Sequence, residues 1–119
     1  MSLALRDFRA MDRLIGVFKA LSEPLRLRVI HLLLSNGKEA YGEELATALD
    51  VPAYQLSRHL KILKAHGLIH ERKEGRWVYY SLDKSNGNTR LLASLRQLLA
   101  DSEKPPAQPT AEPAIQGVR

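Results

Sequence analysis

Apolar residues recur along most of this chain at intervals of three and four, and once the recurrence gives way to alternation. From about Leu3 to Leu21, Phe8, Met11, Ile15 and Phe18 fall at helical spacing, with Leu14 beside them. Ser22-Glu23-Pro24 then punctuates: Ser22 is expected to cap the next helix, Glu23 to complement its dipole, and Pro24 to sit where no backbone N–H is needed. A second helix, about Pro24 to Ser35, stacks Leu25, Val29, Leu32 and Leu33, and Asn36-Gly37 ends it. A third, about Gly42 to Leu49, carries Glu43 and Glu44 in its first turn and turns Leu45 and Leu49 inward. After the connector Asp50-Val51-Pro52, a fourth helix from about Ala53 to His66 buries Leu56, Leu60 and Leu63, and Gly67 stops it.

From Ile69 the period changes to two. Two strands are expected around a Glu74-Gly75-Arg76 turn, with Val78, Tyr80 and Leu82 on one face and Trp77, Tyr79 and Ser81 on the other. A last helix, about Thr89 to Asp101, offers Leu91, Leu92, Leu95, Leu98 and Leu99. The pattern therefore predicts a mainly α fold with one small β-hairpin (α+β), the hairpin lying between the fourth and fifth helices. Residues 1–102 form one domain, and the segment 103–119, with Pro105, Pro106, Pro109 and Pro113, is expected to be disordered.

The terminal helices carry more apolar surface than a core of this size needs. Each stripe could cap its own core. The preferred reading pairs Phe8, Met11, Ile15 and Phe18 with Leu91, Leu95 and Leu98 across a two-fold axis, making a homodimer.

With its leucines buried, the fourth helix presents Tyr54, Gln55, Ser57, Arg58, His59 and Lys61 on its other side. Glutamine can pair with adenine, arginine with guanine or phosphate, and hydroxyls with backbone oxygens. A solvated polar face would look similar, so the distribution of charge matters. The formal net charge is +5, and from Arg58 to Arg76 six cations stand against Glu71 and Glu74. Arg72, Lys73 and Arg76 surround Gly75 at the hairpin tip, where long cations reach phosphate. The balance suits a polyanionic partner such as nucleic acid or an anionic membrane and by itself specifies neither; its concentration on this helix and hairpin makes double-stranded DNA the expected partner. With no cysteines, disulfides and thiolate metal sites are excluded. No apolar run is long enough to span a membrane, and the N-terminus has no signal-peptide core, so a cytoplasmic protein is expected.

The motifs Leu21-Ser22-Glu23-Pro24-Leu25-Arg26, Glu44-Leu45-Ala46, Gln55-Leu56-Ser57-Arg58-His59-Leu60, His66-Gly67-Leu68-Ile69 and Gly75-Arg76-Trp77-Val78-Tyr79-Tyr80 follow in order. Over about Leu14 to Leu99 the chain resembles the ArsR/SmtB family of small dimeric bacterial winged helix-turn-helix repressors. The resemblance implies that Tyr54, Gln55, Arg58 and His59 lie in the recognition helix and Arg76 in the wing. Many members sense soft metals or arsenite through a Cys-x-Cys pair, at positions where Tyr41 and Glu43 stand in this chain. Others bind zinc between their last helices through Asp and His, but the last helix here has Asp101 and no histidine. His66 and His70 are separated by Gly67, and Glu39, Glu43 and Glu44 suit a helix start as well as a hard cation.

No metal site, no cofactor and no enzymatic constellation is therefore expected. The sequence reads as a homodimeric DNA-binding transcriptional regulator, a repressor occluding a promoter at an inverted repeat, with its effector unidentified. The rival is a winged helix used only for protein contacts or dimerisation, a use that gives no reason for Gln55, Arg58 and Lys61 or for a basic hairpin tip.

Overall fold

The computed structural model describes residues 4–85 and 87–103. Its elements are α1 (Asp12–Leu21), α2 (Pro24–Asn36), β1 (Ala40–Tyr41), α3 (Gly42–Leu49), α4 (Ala53–Ala65), β2 (Ile69–Glu74), β3 (Trp77–Leu82) and α5 (Asn88–Glu103). The expected five helices and hairpin are present, and two details of the order change. A short 3-10 turn, Arg9–Met11, precedes α1, and β1 adds a third strand that the two-residue period could not signal.

The first helix begins later than its apolar spacing suggests. Residues 4–8 are not helical. The Asp7 carboxylate accepts hydrogen bonds from the Arg9 backbone N–H and guanidinium, a local arrangement that competes with helical pairing. The cap of α2 also differs from expectation. Pro24 disfavours helical geometry in the residue before it, so Glu23 is extended (φ −89°, ψ 127°) and occupies the N-cap. Its carboxylate accepts from the N–H groups of Leu25 (2.7 Å) and Arg26 (3.1 Å). Ser22 instead closes α1, its hydroxyl donating to the Lys19 carbonyl at 2.8 Å.

The sheet order is β1-β3-β2, antiparallel throughout. Tyr79 on the central strand lies opposite Tyr41 of β1 and Arg72 of β2, and Tyr80 lies opposite Ala40 and Glu71. Side chains alternate along each strand. One face of the sheet thus shows the row Tyr41–Tyr79–Arg72, and the other sends Tyr80 and Leu82 against the core. Burial pushes the Tyr80 phenol above its ordinary range, with the Glu71 charge adding to the effect.

The core is formed by Val17 of α1, Ile30 and Leu33 of α2, Leu56 and Leu63 of α4, and Leu68 after it. Its most buried polar side chain is Asn88, which is completely enclosed. The Asn88 amide donates to the carbonyls of Gly67 and Asp83, each at 2.8 Å, and its oxygen accepts from Arg13 Nη2 at 2.7 Å. One residue so ties α1, the α4–β2 turn and the entry to α5, with its hydrogen-bonding capacity satisfied. That role makes Asn88, one residue before the expected Thr89, the start of α5.

The terminal apolar stripe divides. Phe8, Met11, Ile15, Phe18 and Leu98 are 45–62% exposed, whereas Leu91 and Leu95 are half-buried against their own core. The proline-rich segment lies outside the described residues apart from Glu103, whose carboxylate meets His31 Nε2 at 2.7 Å. No helix among the described residues is long and apolar enough to cross a membrane.

Candidate nucleic-acid interface

Helix α4 is held from behind. Leu56, Leu60 and Leu63 are at most 4% exposed and fix the helix against α2 and α3. Burial of three such side chains is worth about 1.5–3 kcal/mol each before ordering costs. On the outward side Tyr54, Ser57, Arg58 and Lys61 are exposed. None of the four makes a side-chain hydrogen bond or ion pair among the described residues. Spaced three and four apart, they form one continuous polar stripe. Gln55 lies at its margin, half-buried.

His59, expected on the same face, is turned away from it. Its side chain is 17% exposed, with Nδ1 3.9 Å from Glu23 Oε1 and 3.2 Å from Arg26 Nη1. It therefore buttresses α4 against the start of α2. Burial pushes the Glu23 carboxyl up, but the N–H groups of Arg26 and Leu25 and the nearby charges of His59 and Arg26 outweigh it, leaving the pKa below its ordinary value.

The hairpin lies beside this stripe. Gly75 takes φ +61°, the left-handed conformation its tight turn requires. Arg76 follows it with its guanidinium 5.2 Å from the Trp77 ring centroid. Between hairpin and helix runs a cavity of about 510 Å³, lined by Leu56 and Ser57 from α4 and by Arg76, Trp77 and Val78 from the wing. Wing and helix thus face one continuous groove.

The cations divide by partner. Lys64 and Lys73 both approach Glu71, at 3.5 and 3.8 Å. Arg72 is clamped by Glu39, at 2.8 Å from both carboxylate oxygens, and by Glu74 at 3.0 Å. Arg58, Lys61 and Arg76 have no acidic partner among the described residues. The field available to a polyanion therefore concentrates on the helix stripe and the wing tip. Arg72, expected among the phosphate-reaching cations, is engaged elsewhere.

His66, His70, Glu39 and Glu44 are occupied as well. His66 Nδ1 lies 2.9 Å from the Ile62 carbonyl, while His70 approaches Asp83 at 3.4 Å. The two histidines serve different partners. Glu39 holds Arg72, and Glu44 accepts from the Tyr41 N–H at 2.9 Å, which caps α3.

This architecture has well-matched relatives. A helix-turn-helix domain model matches residues 21–72. A homodimeric winged helix-turn-helix DNA-binding domain from Mycobacterium bovis, described as a possible ArsR-family transcriptional regulator, superposes with a TM-score of 0.66 at 31% identity, covering 87% of this chain and 94% of that one. The chain belongs to the ArsR family. Within it, the arsenical resistance operon repressor of Escherichia coli K12 is 44% identical over 68 residues, 57% of each protein. The chain thus matches little more than half the length of that curated relative. HlyU of Vibrio cholerae N16961 superposes with a TM-score of 0.69 at 28% identity, over 77% of this chain and 97% of HlyU. The chain contains no cysteine.

Proposed function

We propose that this chain is a sequence-specific DNA-binding transcriptional regulator of the cytoplasm, a homodimeric repressor that occludes a promoter. One observation carries the reading: Ser57 of the exposed Tyr54–Ser57–Arg58–Lys61 stripe lines the same groove as Arg76 of the wing, and none of Arg58, Lys61 and Arg76 has an acidic partner among the described residues. A helix of this size fits the major groove, where Arg58 and Gln55 reach base edges while Tyr54, Ser57 and Lys61 engage phosphates. Arg76, with Lys73, holds the flanking backbone. The exposed Phe8, Met11, Ile15, Phe18 and Leu98 join two copies, as supported by the homodimeric Mycobacterium bovis relative. Two α4 helices then enter successive major grooves of an inverted repeat. Without thiolates, Zn(II) or arsenite leaves DNA affinity unchanged, and release from DNA rests on a signal other than a cysteine-bound inducer or on protein level alone.

The test is selection of bound duplexes from random DNA by the full chain. The expected product is an inverted repeat with half-sites about one helical turn apart. Recovery of no enriched sequence contradicts the reading and favours a module for protein contacts.

A further inference from the structure

The outer face of the small sheet carries a cluster of charged and aromatic side chains, of which Tyr41 and Trp77 also border the helix–wing groove. Glu39 and Tyr41 come from β1 and the residue before it, Trp77 and Tyr79 from β3, and Arg72 and Glu74 from β2. Arg72 Nε donates to Glu39 Oε2 and Nη2 to Glu39 Oε1, both at 2.8 Å, a two-point fork that only a guanidinium can make. Nη1 donates to Glu74 at 3.0 Å. The Arg72 guanidinium lies 4.5 Å from the centroid of Tyr79. Tyr41 meets Trp77 edge-on at 5.5 Å and Tyr79 at 6.2 Å.

We infer that Arg72 is a positioning residue: with Glu39 and the Tyr41–Trp77–Tyr79 cluster it splints the wing to the strand that leads into α3, and it does not contact phosphate. Two carboxylates already surround it, so its site offers a phosphate little net attraction. The sheet is too thin to hold its own tip, because β1 contributes only two residues and the hairpin's far end is exposed. A clamp between residues 39 and 72 fixes the hairpin relative to the segment that positions α3 and α4. Bound Arg76 and Lys73 then find phosphates without a search. The hydrogen bonds from Arg72 hold Glu39 below the ordinary carboxylate range, and Glu39 followed by Glu74 holds Arg72 above its own, as expected of a formed pair.

The functional arm of the inference rests on the proposed DNA binding; the conformational arm does not. Trp77 is the sole tryptophan, so its fluorescence reports on the wing in the free, full-length protein. Arg72→Ala and Glu39→Gln should each lower Trp77 anisotropy and increase its quenching by acrylamide, with an unchanged helical circular dichroism signal. Each should weaken binding to a selected duplex roughly two- to tenfold, the cost of ordering a looser wing. The salt slope of binding should stay at the wild-type value. Exchanging the charges (Glu39→Arg with Arg72→Glu) should restore part of the affinity. A phosphate contact behaves oppositely: Arg72→Ala would reduce the salt slope by about one, and removing the Glu39 charge would tighten binding. That pattern, or an unchanged Trp77 signal in both single variants, overturns the inference. If the wild-type chain bound no DNA, the proposed function would fail, and Trp77 would still decide whether the splint exists.

Discussion

Helix α4 and the hairpin border the same groove but are held in opposite ways. Helix α4 is anchored on its hidden side by Leu56, Leu60 and Leu63, and its outward Tyr54, Ser57, Arg58 and Lys61 have no side-chain hydrogen bond or ion pair among the described residues. Toward its tip, from Arg72 to Trp77, the wing has little hidden side. It is held across its exposed surface by the Arg72–Glu39 fork and by aromatic edges. A reading helix can leave its polar face free because apolar burial, which no polar partner has to satisfy, sets its position. A thin hairpin lacks that option and uses directional contacts, which are sensitive to charge, pH and salt.

The contrast can be broken by experiment. The largest effect is expected from Leu60→Ala, which removes buried contacts behind α4 and should lower unfolding free energy by about 2–5 kcal/mol. Arg72→Ala should barely move the melting temperature, because exposed ion pairs contribute little to global stability. Equal losses in chemical denaturation would erase the distinction between the two anchoring modes. Next comes Arg76→Ala, expected to weaken binding roughly three- to tenfold on matched and mismatched duplexes alike and to lower the salt slope by about one. A loss confined to the matched duplex would make the wing a reader of bases.

Acid should have the smallest effect and separate the regions once more. Glu23, Glu39 and Asp83 all have pKa values lowered in the fold, Asp83 chiefly through the Ser85 hydroxyl and N–H. Each contributes stability that is complete above the unfolded carboxylate range and is lost as pH falls through the lowered folded value. Melting temperature should be level from neutral pH to about 5 and decline below about 4. The Trp77 signal should change in the same window in the wild type and show a smaller change in Glu39→Gln. A decline beginning near neutral pH would point to histidine instead.

Much of this was legible in the chain. Leu56, Leu60 and Leu63 announce both the helix and its buried side, and the alternation through Trp77–Leu82 announces the central strand. What escaped depends on contacts between distant residues. Glu39 and Arg72 are 33 positions apart, as are Arg26 and His59, and no local period encodes either pairing. His59 therefore read as an outward polar residue although it braces α4 against α2, and Arg72 read as one more tip cation. The two-residue β1 was too short to show alternation. Ser22 was a sound capping candidate by type, but Pro24 moved the cap to Glu23.

The most direct measurement is the binding of Arg58→Ala to a selected operator and to scrambled duplex across a salt series, with wild type and Arg72→Ala alongside. The account predicts that Arg58→Ala loses about 1–3 kcal/mol on the operator and much of its preference over scrambled sequence, while Arg72→Ala weakens both duplexes with its salt slope intact. An Arg58→Ala protein that kept wild-type affinity and preference would contradict the assignment of α4 as the reading helix.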